Sequence, residues 1–294
     1  MATIQGEELA RRLLDGTVDA WVQICTDSWE ESVDVGEVRF VLRISGGDAV
    51  NSCEGFSGGM LWPSAIVLAS WLYACHAQSP WDCGCVTVLE LGSGCGLAGL
   101  ALAKLGMPTL LTDHHSAVLC NLRHNAQLNG VRVGVEFLAW AVETDRAHSS
   151  RCGVDVELEP SAAKRQRVLA GSTLDRPPCS EQALTGAPFT LVIGADLMYL
   201  SDSMAALAAT IRRCCNGLFL AVSPSTERAG LLPLLRLLCA LDGWTVRTCS
   251  APRAYTASLC DEYTLVCAQH PCYMLPPLMA QMAVVSLSDL PPKG

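Results

Sequence analysis

The stretch VLELGSGCGLAG, residues 88–99, places four glycines within eight positions directly after an apolar run. The run at residues 86–91 is predicted to be a buried strand, and residues 97–105 continue as a helix of small residues. Because glycine has no Cβ, a glycine-rich turn between a strand and a helix lets a ligand approach the main chain closely. The sequence therefore predicts a cofactor loop at this turn.

One class of cofactor for such a loop is a dinucleotide. Gly94, Gly96 and Gly99 formally satisfy the G-x-G-x-x-G pattern, and Asp113 follows nineteen residues after Gly94. A nicotinamide- or flavin-dependent oxidoreductase is therefore one open interpretation. Nucleotide hydrolysis of the P-loop kind is disfavoured, since the sequence has no G-x-x-x-x-G-K-[ST].

A second reading of the same loop starts at Gly92. Leu97 then occupies the place of the third glycine, and Glu90 brings a carboxylate beside the position of a pyrophosphate. A cofactor with a positive centre and no phosphate suits this register better. S-adenosylmethionine is such a cofactor, and Asp113 is expected to accept hydrogen bonds from its ribose hydroxyls.

Strand and helix patterns alternate along the rest of the chain. Seven apolar segments are predicted strands: residues 86–91, 109–112, 131–138, 189–193, 217–222, 244–248 and 262–267. This alternation predicts an α/β, Rossmann-like, seven-stranded and mostly parallel sheet with helices on both faces. No helical pattern separates the last two strands, so one strand near the C-terminal end is expected to be antiparallel.

Composition narrows the classes of function. The net charge of −9 argues against nucleic acid as the main partner. The chain has no secretory signal pattern at its start and no apolar run of about 18 residues, so we expect a cytoplasmic protein that does not bind membranes. A basic run at residues 164–167 leaves nuclear access open. Sixteen scattered cysteines and six histidines form no ligand spacing, so no metal is expected.

Five segments in order resemble the seven-strand methyltransferases of family 16, which includes protein-lysine methyltransferases. They are LWPSAIVLASWL, VLELGSGCGLAGLALAKLG, LTDHHSAVLCNLRHNAQLNG, LAWAVE and LVIGADLMYL. The most specific pieces are the helix that starts at Trp62, the segment around Trp140, and residues 196–199, which match the family's D-x-x-Y after the fourth strand.

The resemblance implies S-adenosyl-L-methionine as the cofactor. The implied cofactor-binding residues are Trp62, Gly92, Ser93, Gly94, Asp113, Trp140 and Ala195, and the reading of the loop itself adds Glu90 and Gly96. Residues 92–94 would pass under the methionine part, Asp113 would hold the ribose, and Trp140 would lie by the adenine. The chain departs from the family at Ala141, where glycine is usual, and at Thr190, where aspartate is usual.

Asp196 and Tyr199, the two ends of the segment that matches the family's D-x-x-Y, are the expected catalytic residues. A lysine amine with a pKa near ~10.4 is almost entirely protonated at neutral pH, so it must be deprotonated and oriented before it can attack. We expect Asp196 to orient the amine or attract it as a cation, and Tyr199 to shape the channel. Capping of the following helix by Asp196, and of the helix after strand two by Asp113, are the structural alternatives.

These observations predict a protein-lysine N-methyltransferase whose partner is a protein substrate. Methylation of another nitrogen, in a protein arginine, a histidine or a small metabolite, is an alternative within the same fold. An oxidoreductase and a non-catalytic binding module are the others. The expected organisation is an N-terminal extension with a β-hairpin (1–55), a methyltransferase domain (56–276) with an insertion at 143–188, and a C-terminal tail (277–294).

Overall fold

The computed structural model describes residues 28–45, 58–83, 85–140, 188–226, 228–256, 259, 262–274 and 279–291. The body of the predicted insertion, its basic run and the departure at Ala141 lie outside these residues. Within the described ranges, no helix is both long and apolar enough to cross a bilayer.

The secondary structure follows the predicted alternation. The strands are β1 Ser28–Val35, β2 Val38–Ser45, β3 Val88–Glu90, β4 Thr109–Asp113, β5 Gly134–Phe137, β6 Phe189–Ala195, β7 Cys215–Pro224, β8 Thr245–Ser250, β9 Tyr263–Gln269 and β10 Ala283–Val285. The helices are α1 Pro63–Gln78, α2 Leu97–Lys104, α3 Ser116–Leu128, α4 Met204–Cys214, α5 Leu231–Cys239 and α6 Arg253–Thr256. Short 3₁₀ turns cover Ser201–Ser203, Met279–Gln281 and Leu287–Asp289.

The central sheet confirms the predicted fold class. Its strand order is β10-β8-β9-β7-β6-β3-β4-β5, and the five strands from β7 to β5 run parallel. Strand β9 is antiparallel to both β7 and β8, as expected for one of the last two predicted strands. The sheet has one strand more than predicted, because β10 in the C-terminal tail pairs antiparallel with β8. A three-residue strand is too short to show a period in sequence.

Helices cover both faces of this sheet, and side chains alternate between them. Leu191 and Ile193 of β6 point into the core under α1, α2 and α3, whereas Val192 points into the core under α4 and α5. This two-sided burial explains why the parallel strands read as continuous apolar runs.

The order of the strands determines where a ligand can bind. The first strand of the central sheet, β3, lies in its middle. The next two strands, β4 and β5, extend the sheet to one side, and β6 then pairs with the other side of β3. In doubly wound sheets, the crevice at this reversal, outside the carboxyl ends of the strands, is the usual ligand site. The loops that follow β3, β4 and β6 all open at that edge.

A two-stranded antiparallel hairpin, β1–β2, lies where the sequence predicts one. Its turn uses Gly36 at φ +59°, and a Cβ there would overlap the Tyr73 ring of α1. Apolar side chains on one face of the hairpin, including Phe40 and Leu42, are fully buried in the core beside α1 and α3. The hairpin is therefore packed onto the domain by its inner face.

Thr190, the departure from the family pattern, has a hydrogen-bonding role. Its hydroxyl accepts from the Thr87 N–H at 2.8 Å and donates to the Thr87 C=O at 3.1 Å, and its own N–H donates to the Thr87 hydroxyl at 3.2 Å. Two neutral threonines thus connect the residue before β3 with the start of β6. The aspartate that is usual at position 190 is not needed for this connection.

Candidate functional site

A cavity of about 460 Å³ lies at the predicted crevice. The loops after β3, β4, β5 and β6 line it, together with the residue before α1. The predicted site residues in its wall are Trp62, Gly92, Gly94, Asp113, Trp140, Ala195, Asp196 and Tyr199. Glu90, Ser93 and Gly96 are not in the wall. The structure therefore brings most of the predicted residues together, from segments more than 130 residues apart in the chain.

The glycines of the loop serve two purposes. Gly92 and Gly94 line the cavity with φ of +56° and +52°, and a Cβ on Gly92 would lie 2.9 Å from Leu197 and 3.6 Å from the Trp140 ring. Gly96 precedes α2 with φ +84°, and a Cβ there would meet Leu122 at 2.6 Å. The first two glycines keep the cavity floor open to a ligand, whereas Gly96 permits close packing of α2 on α3.

Ser93 and Glu90 support the loop from behind. The Ser93 hydroxyl donates to the Glu90 C=O at 3.3 Å and accepts from the Thr112 N–H at 3.0 Å, which ties the loop to β4. The Glu90 side chain accepts from the Gly99 N–H at 3.2 Å in the first turn of α2. These contacts hold the loop between β3, β4 and α2.

The state of Glu90 corrects one step of the sequence argument. Only 2% of Glu90 is exposed, and desolvation raises its pKa to about 8. At neutral pH the side chain is therefore mainly protonated, and it lies behind the loop. The prediction that its negative charge repels a diphosphate is wrong. Counted from Gly92, the first residue of the loop in the cavity wall, the loop still lacks the third glycine of a dinucleotide fingerprint, because Leu97 occupies that position.

Asp113 ends β4 at the cavity wall. One carboxylate oxygen accepts from the Gly94 N–H at 3.3 Å, and the other accepts from the His115 N–H at 3.0 Å and lies 3.4 Å from His114 Nδ1. The N-cap position of α3 is His115, so Asp113 is not the helix cap. Each carboxylate oxygen has a further lone pair, which leaves acceptor capacity for a diol in the cavity.

Asp196 has an unusual backbone conformation. Its φ is +55°, and among the described non-glycine residues it is the one with positive φ. Its N–H donates to the Val222 C=O of β7 at 2.8 Å. Asparagine and aspartate tolerate the left-handed region better than other side chains, yet the conformation still stores strain. Asp196 is not a helix cap, since Leu200 precedes the 3₁₀ turn and Ser203 precedes α4.

Arg228 is a cavity residue that the sequence analysis missed. Its Nε and Nη2 donate to the two carboxylate oxygens of Asp196 at 2.6 and 2.8 Å, a bidentate pair in which 9% of the Asp196 side chain is exposed. The two residues are 32 positions apart, so no local pattern links them. The available signal is topological: β6 and β7 are parallel neighbours, and their following loops meet, as the Gly230 N–H to Met198 C=O bond at 3.0 Å shows.

Three aromatic residues, Trp62, Trp140 and Tyr199, line the cavity. Trp62 precedes Pro63 at the start of α1, and Trp140 follows β5. Tyr199 lines the cavity with 46% of its surface exposed, and burial together with Asp113 and Asp196 raises its pKa, so its hydroxyl is neutral at physiological pH. Leu200 beside it is 57% exposed. The site therefore has an apolar, partly open mouth.

Cys95 inside the loop is buried and unreactive. Its thiol donates to the Gly59 C=O at 3.3 Å, and desolvation raises the pKa of Cys95 to about 12. In the described part of the chain, no group of three or more His, Cys, Asp or Glu side chains is arranged to hold a metal ion.

Comparisons with known proteins confirm the resemblance to methyltransferase family 16. Residues 48–159 match the family model described as lysine methyltransferase. Protein-lysine N-methyltransferase EEF2KMT of Bos taurus is 30% identical over 176 residues, which cover 57% of this chain and 47% of the relative. The putative protein N-methyltransferase FAM86B1 of Homo sapiens is 28% identical over 204 residues, covering 67% and 54%.

Other matches are more distant. Protein N-lysine methyltransferase METTL21A of Mus musculus is 26% identical over 157 residues, covering 53% of this chain and 55% of the relative. The solved structure of an S-adenosylmethionine-dependent methyltransferase from Agrobacterium tumefaciens aligns with a TM-score of 0.48 at 12% identity, covering 83% of this chain and 70% of that chain. The chain spans about half the length of the curated relatives it matches. Asp196 and Tyr199 lie outside the residues that match the family model.

Proposed function

We propose that this chain, whose residues 48–159 match the lysine methyltransferase family model, is an S-adenosylmethionine-dependent protein N-methyltransferase that acts on lysine. One observation carries the proposal. The glycine loop with Asp113 and the D-x-x-Y segment with Asp196 and Tyr199 line one cavity together, and the two loops meet where Gly92 lies beside Leu197. A cofactor held by the first set would have its reactive end near the second.

The cofactor half of the site fits S-adenosylmethionine. Gly92 and Gly94 leave space that a Cβ would fill, and Asp113 offers acceptors to a ribose diol. Trp140 supplies an aromatic face in the same wall. When bound, the cofactor supplies a methyl group on a sulfonium, whose leaving group is a neutral thioether. No diphosphate has to be accommodated, in line with the register of the loop.

The other half of the site would position the acceptor nitrogen. Holding a nucleophile at about 3 to 3.5 Å from its target, in line with the breaking bond, supplies much of the rate enhancement for such a transfer. Because Arg228 already pairs bidentately with Asp196, an ammonium would have to compete with a guanidinium for that carboxylate. We therefore favour the role in which Asp196 accepts a hydrogen bond from a neutral amine, while Arg228 fixes the carboxylate.

Tyr199 would form the side of the acceptor channel. Its half-exposed ring and the neighbouring Leu200 line the cavity together with Asp196 and would give an acceptor side chain an apolar passage from solvent. An apolar passage disfavours the charged form of a lysine side chain and so lowers its pKa toward neutrality. The lysine ammonium would first lose one proton to solvent. The neutral amine would then form the new N–C bond to the methyl group as the C–S bond breaks, which leaves a methylated ammonium and a neutral thioether.

Binding is the first test of this proposal. S-adenosylhomocysteine should raise the melting temperature of the purified protein, and NADH should not. Asp113→Ala should weaken S-adenosylhomocysteine binding in calorimetry by about a hundredfold, because it removes charge-assisted hydrogen bonds worth about 1.5–3 kcal/mol in all. Stabilisation by NADH in place of S-adenosylhomocysteine would establish the oxidoreductase alternative instead.

Transfer is the second test. Incubation with methyl-labelled S-adenosylmethionine and a hypomethylated lysate should label a protein band, and mass spectrometry should place the label on lysine. Label on arginine, histidine or a small metabolite would replace the proposed substrate class. Cofactor binding without any label would identify a binding module. We further propose a location in the cytoplasm with access to the nucleus, which imaging of the tagged chain would test.

A further inference from the structure

Three asparagines line one face of α3 and its C-terminal end. Asn121, Asn125 and Asn129 are spaced by four residues, which places them one above the other on a helix. Asn121 and Asn125 are fully buried. Asparagine is a poor residue for a helix interior and is seldom fully buried. A row of buried asparagines therefore indicates that their amides form hydrogen bonds with another part of the fold. Here they bind the edge strand of the hairpin, β2.

The side-chain amides pair with the main chain of β2 in the way that a neighbouring strand would. Asn129 accepts from the Val41 N–H at 2.9 Å and donates to the Val41 C=O at 2.7 Å, and Asn125 makes the same two bonds with Arg43 at 2.8 and 3.3 Å. Asn121 donates to the Arg43 C=O at 3.0 Å and accepts from Arg43 Nε at 2.8 Å. The edge of β2 is thus paired to a helix, through groups two residues apart on one side of the strand.

Asn125 alone among the three reaches the glycine loop. Its Nδ2 also donates to the Cys95 C=O at 3.0 Å, so both of its donor hydrogens and its acceptor are in use. Cys95 stands between Gly94 and Gly96, and its thiol reaches Gly59, next to the cavity residue Gly58. The third bond of Asn129 goes instead to the Asn125 C=O at 2.8 Å, inside its own helix.

We propose that Asn125 is a positioning residue that couples the β1–β2 hairpin to the cofactor loop. The same amide fixes the main chain of Arg43 and that of Cys95, so docking of the hairpin and the shape of the loop depend on each other. This inference rests on the proposed function for the identity of the ligand. Because coupling between two sites is reciprocal, a ligand that orders the loop must also stabilise the docked hairpin.

Asn125→Ala and Asn129→Ala form a matched pair for the test. Each removes three hydrogen bonds, two of them to β2, but only Asn125→Ala releases Cys95. In the ligand-free full chain, amide hydrogen exchange around residues 95–97 should accelerate in Asn125→Ala and not in Asn129→Ala. Asn125→Ala should weaken S-adenosylhomocysteine binding roughly fivefold, the equivalent of one hydrogen bond, while Asn129→Ala leaves it near the wild-type value.

The reciprocal effect gives a readout that simple destabilisation does not produce. S-adenosylhomocysteine should slow exchange of the Val41 and Arg43 amides in the wild type and in Asn129→Ala, and this protection should be lost in Asn125→Ala. Equal loop exchange in the two variants would overturn the inference. So would binding of S-adenosylhomocysteine with no change at β2. If the wild type does not bind S-adenosylhomocysteine while the ligand-free loop responds to Asn125→Ala alone, the proposed cofactor falls and the coupling stands.

Discussion

The loops after β3 and β6 both make a sharp turn with positive φ at the carboxyl end of a parallel strand, but they use different residues to do so. Each leaves a parallel strand at the same edge of the sheet and turns through the left-handed region into the cavity wall. The loop after β3 uses glycine, at Gly92 and Gly94, and its carboxyl group Glu90 is buried behind it. The loop after β6 uses Asp196, which lines the cavity and whose carboxylate is paired with Arg228.

The difference matches the proposed division between a cofactor-binding surface and a reactive one. Glycine leaves bare main chain, which suits a loop that must lie close to a ligand. An aspartate in the same conformation stores strain, which persists only where the surroundings hold it, here the Val222 C=O and the Arg228 guanidinium. Backbone strain of this kind concentrates at functional sites. We therefore expect substitutions at Asp196 to lower the methyl-transfer rate more than substitutions in the glycine loop do.

Asp196→Ala is expected to produce the largest effect. Loss of the carboxylate should lower the methyl-transfer rate by about a hundredfold or more, as expected when a reacting group is misplaced. Cofactor affinity in calorimetry should stay near the wild-type value. Wild-type transfer by Asp196→Ala, on every substrate found, would remove Asp196 from the catalytic assignment.

Asp196→Gly sharpens this test by isolating the backbone. Both variants leave Arg228 without the carboxylate, but alanine retains the left-handed strain and glycine does not. Denaturant titration should therefore show Asp196→Gly to be more stable than Asp196→Ala by about 1–2 kcal/mol. Equal stability of the two variants would mean that the conformation at residue 196 stores no strain.

Gly92→Ala should have the next largest effect, and Gly130→Ala is its matched control. Both positions have left-handed φ, +56° and +60°, so both variants should lose about 1 kcal/mol of stability. Only the Cβ at Gly92 would meet other side chains, since nothing lies within 4 Å of one at Gly130. S-adenosylhomocysteine affinity should fall about tenfold in Gly92→Ala and remain unchanged in Gly130→Ala. Equal affinities in calorimetry would argue that the cofactor does not lie over this loop.

The buried carboxyl behind the loop should appear in the pH dependence of stability. Because the pKa of Glu90 rises from 4.5 to about 8 on folding, its contribution is fully present below pH 4.5 and is lost as pH rises toward 8. The free energy of unfolding of the wild type, relative to Glu90→Gln, should thus fall between pH 5 and pH 8, by up to about 1.4 kcal/mol per pH unit. Parallel pH profiles for the two proteins would show that Glu90 is ionised in the folded state.

Tyr199→Phe should give the smallest change. The ring that shapes the channel remains, and only a neutral hydroxyl at the cavity is lost. We expect a decrease of about fivefold or less in kcat/KM for methyl transfer, with cofactor affinity unaffected. A loss as large as that of Asp196→Ala would instead give the hydroxyl a direct part in handling the acceptor proton.

Most of the fold was predictable because local sequence patterns determine its strands, its helices and the loop between β3 and α2. Buried parallel strands read as apolar runs, and the glycine loop marks the junction of β3 and α2. Pairing across the fold was not predictable: Arg228 meets Asp196 only because β6 and β7 are neighbours, and the protonation of Glu90 depends on a burial that no motif encodes. The asparagines of α3 were visible as a four-residue spacing, but their partner became apparent only when β2 was placed beside them.

The short strand β10 has a consequence for the solubility of the molecule. It covers β8 along Ala283–Val285, and the Cys239 thiol donates to the Val285 C=O at 3.5 Å to hold it there. Without this segment, the outward N–H and C=O groups of β8 would be open templates for a strand from another molecule. With these three residues in place, the edge of the sheet is a very short strand, which offers few unpaired main-chain groups to another molecule.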